Sequence, residues 1–100
     1  MSIYLIANLN IHDRERYAQY EAGFMDIFQK YNGKILAVDE DQEILEGDYD
    51  ATRTVLIEFP SHDDAKAWYE SEAYQELAGH RWAASDGSAI MIQGLPDPAP

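Results

Sequence analysis

The 100-residue sequence contains no cysteine. Disulfides, thiolate metal sites and cysteine nucleophiles are therefore excluded, and the composition fits the reducing environment of the cytoplasm. Basic residues are also scarce, since seven Lys and Arg stand against nineteen Asp and Glu, and the formal net charge is −12. Because this charge repels polyphosphates and anionic lipids, we expect neither nucleic acid nor a membrane surface as a partner.

Long apolar runs and familiar cofactor motifs are missing as well. The apolar run in "MSIYLIANLNIHD" is too short to span a bilayer, and it lacks a basic flank and a small-residue cleavage site. We therefore expect a soluble cytoplasmic protein. The six glycines form no nucleotide-binding loop, and the three histidines, at 12, 62 and 80, lack the spacing of metal ligands. The sequence predicts no metal site and no cofactor.

Apolar and aromatic residues, in contrast, are plentiful. They make up 46% and 12% of the chain, which is enough for one domain with a packed core. No stretch has the composition of a linker. We expect a single domain over residues 1–94 and a proline-rich tail, "LPDPAP", over 95–100, where neither a helix nor an inner strand suits the prolines.

The hydrophobic pattern predicts the element order β-α-β-β-α-β. Strands are predicted at 3–11, 34–38, 53–59 and 89–93, and two helical stretches at 60–81. A helix of about 18 residues is predicted to follow Asp13 and to end at Asn32-Gly33. "EILEG" either extends the second strand or forms a small extra one, and "SDGS" is predicted to be a turn. The order is typical of a ferredoxin-like α+β fold, with an antiparallel four-stranded sheet and both helices on one face.

The sheet face away from the helices suggests a partner. Two helices cover only one face of a four-stranded sheet. On the other face Tyr4, Ile6 and Leu56 form a surface that is too apolar for solvent alone. We therefore expect two sheets to pair in a homodimer.

Three stretches, "YLIANLNIHD", "LEGDYDATRTVLIEFPS" and "AKAWYESEAYQELAGHR", together resemble a family of small bacterial proteins described as a domain of unknown function. The resemblance runs from Ile3 to Gly94, and it departs from the family pattern at Asn32-Gly33, where the family has two glycines. It implies membership of the dimeric α+β-barrel superfamily, which includes cofactor-free monooxygenases and muconolactone isomerase-like enzymes. It also implies a homodimer whose sheets face one another, and it implies no settled activity.

Glu58 is one candidate catalytic residue. It lies on the strand face opposite Val55, Ile57 and Phe59, so it is predicted to point into the space between the paired sheets. With the first and third strands taken as parallel neighbours, Asn8 and Asn10 lie toward the same end as Glu58. The two amides and the carboxylate then either orient a small polar ligand, with Glu58 as a general base, or bridge the dimer through hydrogen bonds.

Arg81 is the other candidate, because it continues the apolar stripe of the last helix. A guanidinium in such a position needs a carboxylate or several carbonyl groups. It is either a structural clamp or a site residue that receives the carboxylate of a ligand. The predicted partners of a clamp are Glu58, Glu46 and Asp13.

The aromatic residues near Arg81 form part of the same question. Trp68 lies on the inner side of the helix that Ser61 is predicted to cap, so it is predicted to belong to the core. Ser71 is predicted to begin a second helical stretch. Tyr69 and Tyr74 are predicted to line the rim of a pocket and to contact a ligand.

Two functions remain open at this point. One is a cofactor-free enzyme, monooxygenase-like or isomerase-like, that acts on a small apolar or aromatic metabolite. The alternative is a non-catalytic dimer that binds a small molecule or serves as an interaction module. An enzyme predicts a cavity that holds Glu58 or Arg81 unpaired, whereas a structural dimer predicts that these two residues satisfy each other.

Overall fold

The computed structural model describes residues 2–96, so positions 97–100 of the predicted tail lie outside the described part of the chain. The elements, in chain order, are β1 (Ile3–Ile11), α1 (Arg14–Phe28), β2 (Lys34–Asp39), β3 (Arg53–Phe59), α2 (His62–Tyr69), α3 (Glu72–Ala84) and β4 (Ser85–Gln93). Within residues 2–96 no helix combines the length and the hydropathy needed to cross a membrane.

The four strands form one sheet in the order β2-β3-β1-β4, and every neighbouring pair is antiparallel. Alternate residues of β1 are buried, from Ile3 to Ile11, and they belong to the same core as the inner residues of the helices. All the helices therefore cover one face of the sheet. This arrangement confirms the predicted ferredoxin-like α+β fold.

The ends of several elements differ from the prediction. The first helix ends at Phe28 rather than at Asn32-Gly33, because the amides of Lys30 and Tyr31 bond to carbonyls three residues back and tighten the chain into turns. The segment "EILEG" forms neither a strand extension nor an extra strand, and residues 40–52 are irregular.

The predicted turn "SDGS" is wrong, because these residues begin β4. Ser85 pairs with Ile11 and Gly87 with Leu9. Serine, aspartate and glycine favour turns in general, but here the glycine serves close packing. A Cβ atom at position 87 would overlap the backbone carbonyl oxygen of Asn8. The absence of a side chain therefore allows the two strands to pair along their full length.

Three side-chain caps begin the helices. The carboxylate of Asp13 accepts from the amide of Arg16 at 3.0 Å, and the hydroxyl of Ser61 accepts from the amide of Asp64 at 3.1 Å. Ser71 begins α3 in the same way, since its hydroxyl accepts from the amide of Tyr74 at 3.2 Å. This last cap separates α2 from α3, so that the chain changes direction between them.

Trp68 is the centre of the aromatic core. It is 1% exposed, and its ring lies 4.2 Å from that of Tyr74 between centroids. Phe28 and Phe59 pack against it at 5.6 and 5.5 Å. The change of direction at Ser71 thus brings the last aromatic residues of α2 and the first of α3 onto the same part of the sheet. The predicted core position of Trp68 is confirmed.

The sheet face away from the helices is apolar over its centre. Tyr4, Ile6 and Leu56 are half-buried there, and Ile6 pairs with both Leu56 and Ile90 in the neighbouring strands. Ile90 is 52% exposed. We call the residues Tyr4, Ile6, Leu56, Ile90 and Ile92 the outer apolar face.

Replacing Trp68 by alanine should lower the free energy of unfolding by about 3–5 kcal/mol, because a large buried aromatic side chain leaves a cavity. Trp82, which is 51% exposed on α3, provides the matched control. Trp82→Ala should change the stability by no more than about 0.5 kcal/mol. Urea denaturation followed by circular dichroism measures both, and equal losses in the two variants would contradict the core assignment.

Candidate functional site

A cavity of about 210 Å³ lies between the helices and the inner face of the sheet. Its floor is apolar and comes from β1 and β3, through residues such as Leu5, Ala7 and Val55. Three apolar side chains with exposed fractions between 37% and 53% also line it and mark its open side: Met25, Ile35 and Val38. The cavity therefore combines an enclosed interior with an apolar opening beside the edge strand β2.

The first helix contributes one wall. Tyr17, Tyr20 and Phe24 follow one another at helical spacing, so all three turn toward the sheet. Tyr17 and Tyr20 are buried, and Phe24 packs against Trp68 at 6.0 Å between ring centroids. An aromatic wall of this kind suits a flat apolar ligand.

The opposite wall comes from α2 and α3. Trp68 and Tyr69 end α2, and Tyr74 and Arg81 lie two turns apart on α3. Tyr74 and Arg81 both line the cavity because residues seven apart share one helix face. The cap at Ser71 brings these two helices together at the same wall.

Two tyrosine hydroxyls bond to each other inside this site. The oxygens of Tyr20 and Tyr74 lie 2.7 Å apart, and both side chains are buried. Burial raises the pKa of Tyr20 far above its ordinary value, and burial also raises the pKa of Tyr74. Both phenols therefore remain neutral and serve as hydrogen-bond donors and acceptors at physiological pH.

Arg81 is buried, with 9% of its surface exposed, and it lies over the ring of Tyr20 at 5.8 Å from the guanidinium carbon to the ring centroid. No ion pair joins Arg81 to a carboxylate among residues 2–96. Burial acts to lower the pKa of Arg81. Electrostatic interactions with the neighbouring Tyr74 and Tyr20 have a larger effect in the opposite direction and leave that pKa above its ordinary value. The guanidinium thus keeps its charge at the cavity wall.

The cavity has a second arginine in a different setting. Arg53, at the start of β3, donates to Glu40 at 3.0 Å and to Glu21 at 3.3 Å, and its guanidinium carbon lies 5.4 Å from the centroid of the Tyr17 ring. Glu40 also accepts from Arg14 at 2.9 Å. Hydrogen bonds from Arg14 and Arg53 lower the pKa of Glu40. This guanidinium is therefore held by carboxylates of the chain itself.

Three of the six predicted site residues line this cavity, namely Arg81, Tyr69 and Tyr74. The other three, Glu58, Asn8 and Asn10, lie on the opposite face of the sheet. Their predicted grouping is wrong, because β1 and β3 are antiparallel rather than parallel. Glu58 pairs with Tyr4 and Asn8 with Thr54, so the carboxylate and the amides lie toward opposite ends of the sheet.

The two asparagines hold the irregular segment 40–52 against the sheet. The side-chain oxygen of Asn8 accepts from the hydroxyls of Tyr49 and Thr54, and Asn10 donates to the backbone carbonyl of Asp50 at 3.0 Å. These bonds engage the amide oxygen of Asn8 and the amide nitrogen of Asn10 within the chain. A role in ligand binding for Asn8 and Asn10 stays a prediction, and it would concern the outer apolar face rather than the cavity.

The predicted structural clamp is also wrong. Within residues 2–96, Arg81 forms no ion pair with Glu58, Glu46 or Asp13. Asp13 instead caps α1, and Glu58 lies on the other face of the sheet. Aromatic rings and phenol oxygens surround the guanidinium in place of a carboxylate.

Among the residues that line the site, Tyr17, Tyr20 and Arg53 were not assigned to it from the sequence. The two tyrosines lie three residues apart on the buried side of α1, a spacing that by itself indicates a core position rather than a site. For Arg53 a signal existed, because it alternates with Val55, Ile57 and Phe59 and so shares their inner face. A charged residue on the core face of a strand is a sign of a polar site.

Within the described chain, 2–96, no group of three or more His, Cys, Asp or Glu is arranged to hold a metal ion. The cationic and phenolic side chains that line the cavity are donors toward an anionic or carbonyl oxygen. Aromatic walls around them lower the local polarity, which strengthens such bonds. The arrangement can therefore bind an organic molecule that has an apolar body and an oxygen-bearing group.

Comparisons with known proteins agree on family and fold. A sequence model of a family described as a domain of unknown function, DUF1330, matches residues 2–95. A protein of unknown function from Rhodopseudomonas palustris is similar in structure, with a TM-score of 0.80 and 21% identity over 95% of this chain and 83% of that one. No curated protein matches the chain.

Two further solved structures share the fold at lower identity. SnoaB, a cofactor-independent oxygenase from Streptomyces nogalater, has a TM-score of 0.67 and 12% identity over 95% of this chain and 94% of that one. A dimeric ferredoxin-like protein of unknown function from Jannaschia sp. CCS1 has a TM-score of 0.71 and 12% identity over 92% and 96%. At these identities the similarity shows the fold.

The buried tyrosines predict a loss of stability at alkaline pH. An unfolded tyrosine ionises near pH 10, whereas burial raises the pKa of Tyr20 and Tyr74 in the folded chain. Above about pH 10 the unfolded state therefore releases protons that the folded state keeps, and stability falls as the pH rises. The stability advantage of wild type over Tyr20→Phe/Tyr74→Phe should shrink between about pH 8 and about pH 11 in urea titrations. An advantage that stayed constant or grew would contradict this.

Proposed function

The chain belongs to the DUF1330 family, described as a domain of unknown function, and we propose that it is a cofactor-free enzyme acting on a small apolar or aromatic metabolite in the cavity described above. The observation that carries this proposal is Arg81, a buried guanidinium without a carboxylate partner among residues 2–96, at the wall of an aromatic cavity. A buried charge of this kind is costly unless a partner compensates it, and a bound ligand supplies one.

The chemistry follows from the donors around the cavity. A cofactor-free oxygenase or isomerase must stabilise the enolate that forms when its substrate loses a proton from carbon. In this cavity the proton would pass to the carboxylate of Glu21, which is among the lining residues. Arg81 supplies a positive charge, and the bonded pair of Tyr20 and Tyr74 supplies one free hydroxyl donor, in a setting lined by aromatic rings. Support for an oxygenase-like reaction comes from the shared fold with a protein described as a cofactor-independent oxygenase.

A second candidate function is binding without catalysis. Among the described residues that line the cavity, Glu21 alone carries a carboxylate. This carboxylate forms an ion pair with Arg53, and the side chain of Glu21 is half exposed. Glu58, the predicted base, lies on the other face of the sheet. A carrier of a small molecule would use the same cavity and the same arginine, but it would need no proton acceptor.

The proposed site is tested by ligand titration followed through the fluorescence of Trp68, which lines the cavity. Naphthalene derivatives should bind to wild type, and Ala89→Phe, which fills the cavity from β4, should weaken that binding at least tenfold, by about 1.4 kcal/mol. Ala83→Phe is the matched control, because Ala83 is exposed on α3 and does not line the cavity. Equal affinities in the two variants would place the ligand elsewhere.

Catalysis is tested separately from binding. With an aromatic 1,3-diketone in D₂O, an enzyme that forms an enolate should exchange the acidic carbon-bound hydrogen for deuterium, as proton NMR detects. Arg81→Met should lower the exchange rate by about 10²–10³, the usual effect of removing an oxyanion-stabilising group. Binding without enzyme-dependent exchange or oxygen uptake would favour the carrier.

The proposal includes a homodimer that pairs two outer apolar faces. Support comes from the exposed isoleucines of β4 and from the shared fold with a protein described as dimeric. Light scattering should give about twice the monomer mass of 11.4 kDa for wild type. Ile90→Lys should dissociate the dimer, since it buries a charge in the interface. Ala22→Lys, on the exposed side of α1, is the control that should remain dimeric.

A further inference from the structure

We infer that the cavity selects a monoanion with a flat apolar body, whose acidic oxygen lies at Arg81 and whose apolar end points toward β2. The inference rests on the proposed function in one respect, since it requires the cavity to be a ligand site. It adds the charge of the ligand and its orientation, and both follow from a difference between the two arginines of the cavity.

The positive charge of Arg53 is already neutralised by carboxylates of the chain. Its guanidinium bonds to Glu21 and Glu40, and Glu40 also bonds to Arg14. In this group two guanidiniums and two carboxylates balance each other. A ligand anion at this end would have to compete with two carboxylates already in place, and it would also be repelled by them.

Arg81 presents the opposite case. Its charge faces the ring of Tyr20 and the phenol oxygens of Tyr20 and Tyr74, and within residues 2–96 no carboxylate forms an ion pair with it. The phenols are neutral, so one positive charge remains uncompensated. One negative charge on a ligand balances it, whereas a second negative charge would find no partner.

The tyrosine pair adds a directed hydrogen bond at the same end. Tyr20 and Tyr74 have two hydroxyl hydrogens between them, and their mutual bond uses one. The other remains to be donated, next to the guanidinium. A carboxylate or an enolate oxygen accepts from both groups, and such charge-assisted bonds are stronger than those between neutral partners.

The opening of the cavity favours the same orientation. The apolar side chains of Met25, Ile35 and Val38 stand there beside the carboxylate of Glu21. Apolar atoms of a ligand are stabilised at this end because they are buried against these side chains, while a second acidic group would be repelled by Glu21. As to size, a cavity of about 150 Å³ in another protein holds benzene, so about 210 Å³ suits a body of two fused rings.

Three probes that share the naphthalene ring system test the charge of the ligand on the wild-type protein. They are 2-naphthoate as monoanion, 2-naphthamide as neutral isostere and 2,6-naphthalenedicarboxylate as dianion. The monoanion should bind at least tenfold more tightly than either of the others in fluorescence or calorimetric titrations at pH 7. Because the overall charge of −12 disfavours anions, a preference for naphthoate must come from the site itself.

Variants assign this preference to the two arginines. In Arg81→Met the preference of naphthoate over naphthamide should disappear, whereas Arg16→Met, an exposed arginine on α1 outside the cavity lining, should keep it. In Glu21→Gln/Glu40→Gln the charge of Arg53 is released, and affinity for the dianion should rise at least tenfold. Circular dichroism checks the fold of each variant.

The outcomes separate the inference from the proposed function. If naphthamide binds to wild type as tightly as naphthoate, the selection of a monoanion is wrong while the cavity remains a ligand site. If none of the three probes binds, the proposed function itself is overturned. Since these comparisons use wild type, they decide the question even if Arg81→Met fails to fold.

Discussion

The packing of Trp68 at the junction of α2 and α3 is the contact on which the fold and the cavity both depend. Its ring touches aromatic residues of α1, β3 and α3, so it joins every layer of the domain. The hydroxyl of Ser71, by capping α3, sets the change of direction that allows this contact. The same change of direction turns Tyr74 and Arg81 toward the sheet. The core and the candidate site are therefore two parts of one packing arrangement.

The distribution of charge around the cavity is asymmetric. In a chain with nineteen acidic residues, an arginine that is shielded from solvent would be expected to find a carboxylate, and the half-buried Arg53 finds two. Arg81 instead lies among phenols and aromatic rings. Aromatic faces stabilise a cation only in part, because their quadrupole is weaker than a full charge. The site thus keeps an unbalanced charge in largely apolar surroundings, as sites that bind or transform anions require.

The fold followed from the sequence because local patterns are sufficient for it. Alternation defined β1 and β3, and the caps at Ser61 and Ser71 follow from hydroxyl side chains before helical stripes. The site followed only in part. Arg81 and Tyr74 share a helix stripe that the sequence reveals, whereas the grouping of Glu58 with Asn8 required strand directions, which were taken wrongly. The pairing of Arg53 with Glu21 and Glu40 joins three separate elements, and no local pattern reports such a contact.

Glu40 connects two parts of the molecule that are otherwise distinct. It is the first residue after β2, where the irregular segment 40–52 begins, and it bonds to Arg53 in the cavity wall. Any ligand that displaces Arg53 must change the free energy of this ion pair. It would thereby also change the free energy with which the segment 40–52 is held against the rest of the domain. Thermodynamic linkage makes the effect mutual. If a ligand that displaced Arg53 changed the affinity of the segment 40–52 for a second molecule, that molecule would change the affinity for the ligand by the same factor.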